Sequence, residues 1–95
     1  MGKSPGMGGQ PRPKPIEFLP HALERLDRRD ITADDVIEAV RYPEETGLPT
    51  QPGRQRVRRR ARPGYAIDVV YEETDERIRV VTVFGKQLSI RRRGG

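Results

Sequence analysis

An α+β fold is predicted by two helical patterns before residue 43, alternating strands after residue 54, and a Gly/Pro-containing loop between them. With 95 residues, 33% hydrophobic and 35% charged, the chain suits one small domain whose apolar residues are concentrated in periodic runs. That domain is expected over residues 16–90. A Gly/Pro-rich leader (1–15) is expected to be disordered, having four glycines, four prolines and no apolar periodicity. The segment 91–95 reads as a basic flexible tail.

Ile16 to Leu19 forms a brief apolar run suited to a first strand at a sheet edge, stopped by Pro20. From His21 the period becomes helical. Ala22, Leu23 and Leu26 share a packing side, while His21, Arg25 and Arg28 or Arg29 share another. Asp30-Ile31-Thr32 ends this helix and starts a second. Thr32 is its N-cap, Asp34 and Asp35 suit the positive end of the dipole, and Val36, Ile37 and Val40 make the buried stripe. Tyr42-Pro43 stops it.

After the loop of residues 44–53, six arginines fall between Arg54 and Arg62. In an extended segment, alternation puts Arg54, Arg56, Arg58, Arg60 and Arg62 on one face and Val57, Arg59 and Ala61 on the other. Tyr65 to Glu72 alternates and is rich in β-branched and aromatic residues, the composition of a strand. A polar turn over residues 73–76 leads to Arg77–Phe84, the most apolar segment, placed centrally as the hairpin partner. Gly85 is expected to end it, with a short further strand over residues 86–90. The order is β-α-α-β-β-β, with two helices on one face of a small antiparallel sheet.

Composition narrows the chemistry. With no cysteine and one histidine, neither a disulfide framework nor an ordinary zinc site is available, so no metal or other cofactor is expected. The apolar runs are too short to cross a bilayer and the start lacks a signal-peptide core, so no membrane role is expected and the cytoplasm is the default location. Charge is divided along the chain. Residues 16–53 carry four basic and nine acidic groups, net −5, whereas residues 54–95 carry twelve basic and five acidic groups, net +7. A basic half suits a polyanion such as RNA.

His21 is the one side chain whose unperturbed pKa, about 6.5, suits proton transfer near neutral pH. Arg25, about one helical turn later, is placed to bind a phosphate or stabilise developing negative charge. The pair suits metal-independent phosphodiester cleavage by attack of a ribose 2′-hydroxyl. A bland reading stands beside it: a histidine opening a helix after proline also hydrogen-bonds locally.

The segment FLPHALERLDRRDITADDVIEAV resembles the opening signature of the DUF4258 family: a short strand, a His-Ala-x-x-Arg helix, a break before isoleucine and a second helix. RIRVVTVF resembles that family's last strand. Asp30 departs from the glycine often found at the break, but Asp tolerates the left-handed conformation. The resemblance covers about Ile16 to Phe84. It implies a RelE-like fold related to RelE-like and BrnT-like toxins, RNA as partner, and an acidic antitoxin protein. It also selects His21, Arg25, Arg29 and Thr82.

Together these readings assign catalysis to His21, Arg25 and Thr82, and nucleic-acid contact to Arg29, Arg54, Arg56, Arg58, Arg60 and Tyr71. The expected function is a toxin-like endoribonuclease. A non-catalytic nucleic-acid-binding module and a protein-interaction domain are the alternatives.

Overall fold

The computed structural model describes residues 14–88; the leader up to residue 13 and the basic tail lie outside the described residues. Strand β1 (Ile16–Phe18) leads to helices α1 (Pro20–Arg29) and α2 (Ala33–Arg41). Strands β2 (Gln55–Arg62), β3 (Tyr65–Glu73) and β4 (Ile78–Gln87) follow. They form one sheet of order β1-β4-β3-β2. Among the described residues, no helix is long and apolar enough to cross a membrane.

The fold is α+β with two helices packed against a four-stranded sheet. The sheet is mixed rather than purely antiparallel, because β1 runs parallel to β4. The helices explain why. The two helices and the loop after them carry the chain back to the end where β1 began, so β2 runs in β1's direction. The β2-β3-β4 meander then brings β4 back in that same direction, beside β1.

Helix starts follow local chemistry. Pro20 sits in the first turn of α1, where its missing N–H is no loss. The N–H of Leu19 donates to Val80 O at 3.0 Å, which ties the helix start to β4. At the other end Asp30 adopts φ 56, ψ 41, and its N–H returns to Leu26 O. Thr32 and Asp35 form a reciprocal capping box on α2, each accepting the other's backbone N–H at 3.1 Å.

The core lies between the helices and one sheet face: Ala22, Ile31, Val36, Ala39 and Val40 meet Val57, Ile67, Val69, Tyr71, Val80 and Val83. Leu23, expected on the packing side, is 52% exposed, and Ala39 is buried where Ile37 is only partly so. Lys14 and Pro15, expected in the leader, are tied down: Lys14 Nζ is 2.8 Å from Glu73, and Pro15 O accepts the Ile78 N–H.

Two irregularities direct the opposite, helix-free face. In β4, Thr82 pairs with Val70 but Val80 pairs with Tyr71, so Val81 is an extra residue. Strict alternation would put Val80, Thr82 and Phe84 on one side. The bulge instead keeps Val80 and Val83 in the core and turns Thr82 and Phe84 outward. In β2, a shift between Arg60 and Arg62 pairs Arg62 with Tyr65. Gly85 does not end β4, which runs on to Gln87. A Cβ at Gly85 would collide with the Tyr65 hydroxyl, so glycine permits that close approach. Residues 86–87 extend β4 rather than forming the separate short strand expected, and residues 89–90 lie outside the described residues.

Candidate functional site

Cross-strand partners share a face, so the sheet register lays out the helix-free side as rows. One row is Arg56, Val70 and Thr82; the next is Arg58, Asp68 and Phe84; a third is Arg60, Ala66 and Lys86. The alternation read from the sequence therefore holds for Arg54, Arg56, Arg58 and Arg60. Arg62 leaves the row at the bulge and stacks on Tyr65, 4.4 Å from the ring centroid.

The arginines are not a ladder of free cations. Asp68, 2% exposed, accepts from Arg56 Nε and Nη2 at 3.0 and 2.8 Å and from Arg58 Nε and Nη2 at 2.6 and 2.9 Å. Burial alone pushes this carboxyl up; the Arg58 and Arg56 hydrogen bonds and charges outweigh it and hold Asp68 below the usual carboxylate range. Arg58, in turn, is raised above its ordinary value, first by its bond to Asp68. Arg58 also lies 3.6 Å from Glu45, and Arg54 donates to Glu72 at 3.2 Å. Arg54, Arg56 and Arg58 thus meet the carboxylates of Glu72, Asp68 and Glu45, which balance their charge and hold the guanidinium groups in fixed orientation.

Helix α1 joins this face at the β4 edge. Strand β1 pairs with Ile78, Arg79 and Val80, so among the described residues no strand neighbours the rest of β4 on that side. Arg25 stacks there on Phe84 at 5.6 Å from the ring centroid, and Arg56 approaches the same ring at 5.1 Å. Arg25 Nε also donates to His21 Nε2 at 3.4 Å. His21 Nδ1 lies 4.0 Å from Glu24, and the imidazole side chain is 57% exposed. His21, Arg25, Phe84, Arg56, Asp68 and Arg58 thus form a continuous series of contacts from helix to sheet.

A groove of about 460 Å³ adjoins Phe84, floored by Val70 and Thr82 and walled by Arg54, Arg56 and the loop at Pro49, Thr50 and Gln51. Thr82 Oγ1 is buried in the groove lining and has no hydrogen-bond partner among the described residues. A buried hydroxyl left this way costs roughly 1–3 kcal/mol, and a ligand recovers it only if the Thr82 side chain turns its oxygen toward the groove.

Of the residues selected from sequence, His21, Arg25, Arg54, Arg56, Arg58 and Thr82 are thus brought together. Arg29 lies in the last turn of α1, one turn beyond Arg25 on the same helix face, without an ion pair among the described residues. Arg60 is exposed two residues along β2 from Arg58. Tyr71 is elsewhere: 7% exposed, it packs in the helix-side core opposite Val80, and burial raises its hydroxyl pKa. It is not available to a ligand on the arginine face.

Asp68 and Phe84 were missed. An aspartate inside an apolar strand carries a signal, since a buried carboxylate demands cations. Phe84 carried one too: two residues beyond Thr82 in one strand, it shares the face on which Thr82 was placed.

The fold and site define a small α+β domain with a cationic groove on the sheet face that its helices leave uncovered. The chain belongs to the DUF4258 family, a domain of unknown function, which matches residues 18–85. No curated protein and no solved structure matches it.

Proposed function

We propose that this domain is a RelE-like, toxin-like endoribonuclease that cleaves RNA without a metal ion. The observation that carries the reading is the link from His21 through Arg25 to Phe84 and Arg56, which unites the one proton-transfer group with the cationic groove. Once Arg25 turns from His21 Nε2 to the phosphate, Nε2 is free to take the ribose 2′-hydroxyl proton while O2′ bonds to phosphorus and the P–O5′ bond breaks. The departing 5′-oxygen takes a proton from solvent, leaving a 2′,3′-cyclic phosphate and a 5′-hydroxyl. Arg25 and Arg56 neutralise the phosphate, and Thr82 orients the bound nucleotide through its free hydroxyl. An acidic protein covering the groove would act as antitoxin by charge complementarity.

Incubation of RNA with the purified chain in EDTA tests this. Products with cyclic phosphate ends, and resistance of a strand carrying 2′-deoxy sugars, are expected; cleavage that requires a divalent ion or spares no deoxy linkage would refute it.

The Arg25 hydrogen bond that occupies His21 Nε2 favours a second reading, an RNA-binding module without catalysis. It predicts salt-dependent binding, a shallower salt slope when Arg56 and Arg58 become alanine, and intact RNA at every pH.

A further inference from the structure

The groove beside Phe84 has a mixed lining with a definite order. Pro49 and Val70 supply apolar surface, Phe84 an aromatic edge, and Gln51 and Thr82 polar groups, while Arg56 stands at its side. Gln51 Oε1 accepts from Arg54 Nη1 at 2.9 Å, which commits its oxygen and leaves its amide NH₂ to donate elsewhere. Arg56 Nη1 approaches Pro49 O at 3.5 Å, tying the loop wall to the sheet. The Thr82 hydroxyl, buried just beneath the floor, has no partner among the described residues and meets a ligand when its side chain turns.

We infer that this groove holds one unpaired nucleobase, so that the RNA taken by the domain is single-stranded. The inference rests on the proposed RNA function and specifies its substrate. A base presents two apolar faces and a polar edge, matching apolar walls closed by an amide donor and a hydroxyl. The phosphates on either side of that base meet Arg56 and Arg25. A volume of about 460 Å³ lies within the range of built small-ligand sites. In a duplex the same edge is engaged by its partner base and the A-form major groove is too narrow to admit these side chains. A peptide carboxylate would satisfy the cations but leave the apolar walls without a flat partner.

Binding of the full chain to three 2′-O-methyl probes, read by fluorescence anisotropy, tests the inference without cleavage. The probes are a short single strand, its perfect duplex, and an abasic strand of equal length. The single strand is expected to bind about tenfold or more tightly than either other probe, as base stacking and edge contacts allow. Gln51→Ala, in an exposed loop, should reduce that preference to a few-fold with little change for the abasic strand. Thr82→Val should reduce the single-strand affinity in the same direction without removing volume from the floor. Equal binding of all three probes, or a preference untouched by both substitutions, would overturn the inference even if RNA is cleaved. A preserved preference without cleavage of ordinary RNA would instead sink the catalytic reading alone. No binding to any probe would remove both.

Discussion

The guanidinium of Arg25 lies 5.6 Å from the centroid of the Phe84 ring, joining the middle of α1 to the outward face of β4. Arg56 reaches the same ring from β2. Phe84 is thus the aromatic surface on which two cations from separate elements are assembled.

Replacing Phe84 by alanine removes both stacking contacts at once. Each contributes about 0.5–1 kcal/mol to stability at an exposed site, and without the ring that positions both cations RNA affinity is expected to fall several-fold while the fold persists. Phe84→Leu keeps bulk but not the π face and should fall nearly as far. Tyr71→Phe, on the other side of the sheet, should leave affinity unchanged. Filter binding with circular dichroism as a folding control decides the point; unchanged affinity in the Phe84 variants would remove the ring from the site.

Asp68 links stability to pH. Its carboxyl is held below the ordinary value by Arg58 and Arg56 despite burial. A group whose folded pKa lies below its unfolded value, about 3.9, contributes stability above that value and loses it as pH falls through the folded one. The urea midpoint of the native chain should therefore decline in acid. Asp68→Asn should be destabilised at neutral pH and show a flatter acid limb. Asp68→Ala leaves two cations facing an empty position and should cost about 3–5 kcal/mol. Parallel acid limbs for wild type and Asp68→Asn would show that this carboxylate is not the linked group.

The helical hairpin was legible because its signals are local. Pro20, the Asp30 break and the Thr32 cap each act through backbone chemistry within a turn, and all three take the roles expected of them. The arginine face was legible as far as Arg60 because a strand alternates. The Arg62 shift and the Val81 bulge were not read, although RIRVVTVF alternates polar and apolar as far as Val80 and changes phase at Val81. Tyr71 was read as a ligand contact although it alternates with Ile67 and Val69, and all three lie in the core. The parallel β1–β4 pairing depends on where the chain returns after two helices, which is tertiary information.

The capping box gives a prediction independent of function. Thr32→Ala removes the acceptor for the Asp35 N–H and should cost about 1 kcal/mol. Asp30→Gly should be near neutral, whereas Asp30→Val, β-branched in a left-handed position, should lose about 1–2 kcal/mol. Thermal denaturation of the three variants orders them; a Thr32→Ala variant as stable as wild type would mean that the cap contributes nothing to α2.

The most direct measurement is RNA cleavage by His21→Ala in EDTA, with binding followed in parallel. Because His21 is exposed and makes its one side-chain hydrogen bond, among the described residues, to Arg25, the variant should fold normally. It should bind RNA within a few-fold of wild type and cleave at least about a hundredfold more slowly, the scale of a lost general base. Cleavage at the wild-type rate by this variant would contradict the account, because proton transfer is assigned to that imidazole alone.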